Sequence, residues 1–284
     1  MRIRIIIFLF LSSSLCFAQK RIKVPENYKF VPMGHVKVGE ETANVDAFFI
    51  SVYEVSVSEY NLFLNEIKDK NPKLYNECYP DTSLWVTIFE YSYNEPYTKH
   101  YHTHPMYANY PANNISYEAA VEYCKWLTAK HNEENAKTTV AKGEFRLPSE
   151  AEWIRAARGD NHDWIFPWKE PKLKDKNGKY LANFFPVEDE SVTRDHSTGK
   201  LIAKANPVDD KFFITSPVKS YYPNQFSLYN MCGNVAEMVA GGKMAKGGSF
   251  FDPGSDVRID SPGNHHKIPS PMVGFRFVFI PRVE

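Results

Sequence analysis

Apolar residues recur at helical spacing in three stretches of this chain and gather in short clusters elsewhere. In the first stretch Tyr60, Phe63 and Ile67 lie three and four residues apart, on one face of a helix. Ser56-Val57-Ser58-Glu59 stands before them as a capping box, so this helix is predicted to run to about Lys68. A second helix is predicted from Ser116, with Ala120, Cys124 and Leu127 on one stripe and Tyr123 beside it. A third follows Pro148. Ser149 and Glu152 form another capping box, Trp153, Ala156 and Ala157 face inward, and Gly159 stands where the helix would end. Phe48 to Val55 reads as a strand, and Gly274 to Ile280 as another with apolar residues on both faces. Residues 160–225 are rich in Pro, Asn, Asp and Lys and show little periodicity, so their loops must be functional or pinned, for instance by ions. A few helices, short strands, and a late strand able to pair with an early one give an α+β fold class.

The N-terminal 18 residues have their own pattern. Arg2 and Arg4 are followed by the apolar run Ile5 to Leu11, the polar break Ser12 to Ser14, and small residues before Gln19. This is the layout of a cleaved signal peptide. The expected organisation is therefore a signal peptide over 1–18 and a single domain over 19–284. The expected location is outside the cytoplasm: periplasmic, outer-surface or secreted. Ser14-Leu15 before Cys16 lacks the small residue that lipid attachment requires, and no later segment approaches the length of a membrane span.

Removing Arg2 and Arg4 leaves 32 basic residues against 34 acidic ones. That balance gives nucleic acid no electrostatic footprint. The 20 Phe, 17 Tyr and 5 Trp can fill a core or line a binding face. Three cysteines remain, Cys78, Cys124 and Cys232. Cys124 belongs to a helix stripe, while a Cys78–Cys232 bridge stays open as an alternative to free thiols.

Motifs in fixed order then carry a resemblance. Val45 to Phe63 forms an opening block, followed by His104-Pro105 and Ile115-Ser116-Tyr117-Glu118-Ala119-Ala120 to Trp126. Arg146-Leu147-Pro148-Ser149-Glu150-Ala151-Glu152-Trp153-Ile154-Arg155-Ala156-Ala157-Arg158-Gly159 is the most specific block. Phe166-Pro167-Trp168, Ala182-Asn183 and Pro217-Val218 follow, then Asn230-Met231-Cys232-Gly233-Asn234-Val235-Ala236-Glu237, Gly247-Gly248-Ser249 and Gly274-Phe275-Arg276. Together, over roughly 28–281, they resemble the formylglycine-generating enzyme or sulfatase-modifying factor domain family. The resemblance implies that family's variant of the C-type-lectin fold.

The resemblance also implies calcium, a hard cation that takes oxygen ligands. Carried over by position, a first site would use Asn183, the Phe184 carbonyl, Asp210 and the Phe212 carbonyl. A second would use Asn230, the Gly233 and Val235 carbonyls and Glu237. The family's copper-binding thiols, counted from Gly-Gly-Ser, fall on Asp252 and Val257. Neither offers the soft sulfur that Cu(I) prefers, and residues 233–284 contain no cysteine. Copper and cysteine oxidation are therefore not expected.

Other chemistry is weaker. His100, His102 and His104 alternate, and on a strand they would share one face and offer three imidazoles to a metal. His265-His266 reads as an exposed turn. Glu150 and Glu152 point to different faces, and Gly247-Gly248-Ser249 reads as a tight backbone passage. The expected function is an exported, calcium-stabilised binding or assembly module that has lost the oxidase site. The loop from Phe251 to Pro271 would supply its contact surface for a protein, peptide or glycan. A domain of this type also resembles gliding-motility and type IX secretion proteins. The alternatives are an oxidoreductase of the formylglycine-generating type, other chemistry in the same groove, and a lectin-like receptor.

Overall fold

The computed structural model describes residues 27–89, 93–186, 192–194, 201–203, 213–263 and 266–282. The signal-peptide segment, Asp210 and Phe212 lie outside them. In chain order the strands are β1 (Tyr28–Val31), β2 (Gly34–Val38), β3 (Glu41–Val45) and β4 (Phe48–Ser51). Helices α1 (Val57–Lys68), α2 (Pro72–Cys78), α3 (Glu95–His100) and α4 (Tyr117–Glu134) follow, then β5 (Gly143–Arg146) and α5 (Glu150–Arg158). Short strands β6 (Val192–Arg194), β7 (Leu201–Ala203), β8 (Ala236–Met238), β9 (Ala245–Lys246), β10 (Val273–Gly274) and β11 (Val278–Pro281) complete the set. Among the described residues no helix is long and apolar enough to cross a membrane.

The three helices read from the sequence are α1, α4 and α5. Ser56 and Ser149 both form the expected capping boxes, and Gly159 ends α5 at φ 65°. The late strand does pair with an early one. The main sheet has the order β1-β4-β11-β5, every pair antiparallel, with Phe279 opposite both Phe49 and Phe145.

Strand residues alternate faces, and here both faces are covered. Phe49, Phe145 and Phe279 point into one core, shared with Tyr60 and Phe63 of α1 and Tyr123 and Cys124 of α4. Phe48, Ile50 and Val278 point the other way, against Trp153, Ile154, Ala156 and Ala157 of α5. Each fully buried ring of this kind contributes about 1.5–3 kcal/mol over its exposed state. That double burial explains why β11 is apolar on both faces. The expected strand over 274–280 is, however, broken. Phe275 and Phe277 accept backbone bonds from Val55 and Ser51, while Arg276 turns inward to a buried acid.

Candidate functional site

Two polar centres lie on the loop-rich side of the sheet. The first is buried, beneath the turn 230–237. The chain takes left-handed conformations at Asn230 (φ 50°), Gly233 (φ 74°) and Asn234 (φ 67°). Asn tolerates that region better than other side chains do. At Gly233 only glycine fits, because a Cβ would sit 2.2 Å from the Asn183 carbonyl oxygen.

This turn aims its amides at one carboxyl group. Asn230 Nδ2 donates to Glu54 at 3.0 Å and Asn234 Nδ2 donates to its other oxygen at 2.8 Å. Asn234 also donates its backbone N–H to the Asn183 carbonyl at 2.7 Å and accepts from Ser216 N at 2.7 Å. Burial holds the Glu54 carboxyl well above the usual carboxylate range, against the opposing pull of Arg276. Arg276, itself fully buried, donates to both oxygens of Glu237 at 2.6 and 2.5 Å and to the carbonyls of Ser51, Val52 and Tyr229. Its five N–H groups are thus all used. Trp153 Nε1 adds a third donor to Glu237 at 2.6 Å.

The second centre opens toward solvent. Gly247 (φ 89°) and Gly248 (φ 64°) fold the chain back on itself, and a Cβ on Gly248 would meet the Asp256 oxygen and Val257 at 2.8 Å. The tight passage predicted there is present. Beyond it, Ser249 donates its N–H and its hydroxyl to Asp252 Oδ2 at 2.6 and 2.7 Å. His266 Nε2 meets the same oxygen at 2.7 Å, with both side chains about nine-tenths buried. Burial raises the Asp252 carboxyl, but hydrogen bonds from His266 and Ser249 outweigh it and hold the group below its ordinary value.

This is no serine-hydrolase relay, in which the imidazole must sit between hydroxyl and acid. Here the acid sits in the middle. Aromatic rings flank it: Phe251 lies 5.5 Å from Phe185, and Phe89 stacks on Phe213 at 5.3 Å. Phe213 is 76% exposed and Phe251 39%. The centre can therefore accept hydrogen bonds and offer apolar faces.

Comparison with known proteins decides the family. Residues 14–280 match the family described as Sulfatase-modifying factor enzyme 1-like domain. The chain belongs to that family. It is similar to the formylglycine-generating enzyme of Mus musculus, 28% identical over 222 residues, covering 68% of this chain and 48% of that protein. The chain thus spans about half the length of that relative. It is also similar to the inactive C-alpha-formylglycine-generating enzyme 2 of Mus musculus, 26% identical over 52% of this chain and 35% of that protein. Among solved structures, CarF superposes with a TM-score of 0.55 at 23% identity, covering 91% of this chain and 99% of that one. That likeness supports the α+β formylglycine-generating-enzyme fold.

Within this sulfatase-modifying-factor frame, the two residues that the family resemblance suggested for the thiol positions have separate surroundings. Asp252 is held by Ser249 and His266. Val257 is fully buried in the core with Trp153 and Ile259. The three described cysteines are free and buried, so no Cys78–Cys232 bridge forms. Cys78 and Cys232 lie in different core clusters. Burial pushes the thiols of Cys78 and Cys124 up to about 12 and that of Cys232 well above its ordinary value.

The calcium sets fare differently. Asn230, Gly233, Val235 and Glu237 come together on one turn. Among the described residues no hydrogen bond ends on the buried carbonyls of Gly233 or Val235, two oxygens of the kind a hard cation takes. Glu237 Oε1 accepts only from Arg276, so it retains a lone pair. If calcium binds here, these two carbonyls, Asn230 and Glu237 are the groups that would hold it, with Arg276 already on both oxygens of Glu237. Of the first set, Asn183 donates to the Ile214 carbonyl at 2.8 Å and Phe184 packs on Tyr180, while its other two members lie outside the described residues.

Several functional contacts escaped the sequence reading. His266 is not an exposed turn residue. Loop closure brings it to Asp252, and nothing in its local sequence signals that. Glu54 sits just after a strand and gives no motif of its own. The alternating histidines are not on a strand: His100 ends α3, His102 is buried, and His104 caps the next turn through Met106 N. Glu150 and Glu152 do point apart, one to Lys246 and one to Arg146.

Proposed function

We infer that the protein is an exported, calcium-stabilised member of the family that binds a peptide or protein ligand in its groove and does not oxidise it. One observation carries the reading. The loop after Gly247-Gly248-Ser249, where the family resemblance would place the thiols, holds Asp252 hydrogen-bonded to its own loop and Val257 fully buried, and among the described residues it contains no cysteine. Soft-metal oxidation needs two convergent thiolates, and burial keeps the three described cysteines protonated. The relative named as an inactive formylglycine-generating enzyme supports the same direction. Around Asp252 the exposed rings of Phe213 and Phe251 would supply the contact face for a protein segment.

Oxygen uptake with a cysteine-containing sulfatase peptide, with and without copper, tests the reading. No turnover is expected. Copper-dependent turnover that disappears when one of Cys78, Cys124 or Cys232 becomes serine would restore the oxidase. Export is tested separately, by N-terminal sequencing of the mature chain, which should begin at Gln19.

A further inference from the structure

A cleft of about 660 Å³ lies between the β2–β3 hairpin tip, α5 and the segment 260–262. Its size falls in the range of small-molecule sites, roughly 300–1,000 Å³. Val38, Ile154 and Ile165 give it apolar lining, Lys37, Arg158 and Lys246 give it three cations, and Glu40, Glu150, Asp163 and Asp260 give it four acids. Arg158 is 7% exposed and Lys246 2%.

The two buried cations differ in their partners. Lys246 Nζ donates to the Ser261 carbonyl at 2.5 Å and to Glu150 at 3.2 Å. Arg158 donates Nε to the Trp164 carbonyl at 2.9 Å, and among the described residues it forms no ion pair. The acids nearby are engaged or exposed. Glu150 is on Lys246, Asp260 is held by Arg258 at 2.8 and 2.6 Å, and Glu40 and Asp163 are exposed. A buried guanidinium carries five donors in a planar fork matched to carboxylate and phosphate. The Nε bond fixes the orientation of this one, Arg158 lines the cleft, and among the described residues no hydrogen bond engages its two outer nitrogens. Burial lowers its pKa in spite of Asp260 and Asp163. A buried, unpaired charge is costly until an anion satisfies it.

We propose that this cleft is a binding site for a small oxyanion-bearing molecule, its carboxylate or phosphate on Arg158 and Lys246 and its apolar body against Ile154 and Ile165. The site is independent of the groove at Asp252.

Calorimetric titration of the intact protein with inorganic phosphate and, separately, with benzoate tests this. Saturable binding of at least one is expected, weakened by added chloride. Preference for benzoate assigns a carboxylate ligand with an apolar body, and preference for phosphate a phosphorylated one. Arg158→Lys keeps charge but not the fork and should weaken binding at least about tenfold. Val38→Trp fills the cleft without touching Arg158 and should abolish binding with the melting temperature unchanged. If Arg158→Lys fails to fold, Val38→Trp and Lys246→Met decide. No saturable heat with either probe, or wild-type affinity in Val38→Trp, overturns the proposal.

Discussion

The buried centre around Glu237 and the open centre around Asp252 use the same materials for different ends. Both rest on left-handed turn residues, and both place a carboxylate among donors. In the buried centre the partners come from far along the chain: Asn234 reaches Glu54 and Arg276 reaches Ser51. In the open centre Ser249 and Asp252 are three residues apart, with His266 14 residues beyond. Long-range contacts of the first kind hold separate segments together. Local contacts of the second kind shape one loop. The chemistry of the loop can therefore change while the fold stays as it is.

The sharpest break of that comparison is Arg276→Met. It strands the Glu237 carboxylate, 1% exposed, without its cation. Breaking a buried ion pair from one side costs about 3–5 kcal/mol. Urea unfolding should lose that much, and the double variant Arg276→Met, Glu237→Gln should recover part of it. A loss under about 1 kcal/mol would mean the centre is not the clamp described here.

His102 is a third buried polar group, outside both centres. Its Nε2 meets Asn113 Oδ1 at 3.2 Å, and Asn113 donates to the Pro271 carbonyl beside the groove. Burial pushes the imidazole from 6.5 to about 4. Between those values the unfolded chain binds a proton that the native one refuses. Stability therefore falls as pH drops through this window and is regained as it rises. The full span amounts to on the order of 3 kcal/mol. In His102→Gln this slope should vanish from the melting curves between pH 6.5 and pH 4, and an unchanged slope would assign the effect elsewhere.

Calcium sharpens the contrast further. If it binds the turn 230–237, then saturation at a hundredfold over the dissociation constant stabilises by about 2.7 kcal/mol. Chelation should lower the melting temperature and loosen amide protection around Gly233 and Val235, while the loop 247–257 keeps its own. Metal analysis that finds no calcium, with melting unchanged by chelator, ends that part of the reading.

How much of this was visible in the sequence follows the same division. Capping boxes at Ser56 and Ser149 are short-range signals, and α1 and α5 follow from them. The Asn230 to Glu237 motif marked the buried turn because its glycine and asparagines answer to backbone geometry. Glu54 and His266 were not legible. Their roles depend on partners 176 to 180 and 14 residues away, and no local period encodes such a meeting. Helices α2 and α3 were missed for another reason: at seven and six residues they are too short to show an apolar stripe.

The smallest stability effect should come with the largest functional one. Asp252→Asn keeps an oxygen for Ser249 and His266 but turns charge-assisted bonds into neutral ones. That costs about 1–2 kcal/mol. Phe251→Ser removes a ring that is 39% exposed and packs on Phe89, Phe185 and Phe250, which costs about 1–2 kcal/mol. Both variants should fold, and both should lose the ligand that the native protein retains in a pull-down from its own host. Arg276→Met can lose that ligand only by unfolding. If instead Asp252→Asn and Phe251→Ser capture the ligand as well as the native chain does, the loop is a closure device and the binding face lies elsewhere on the molecule.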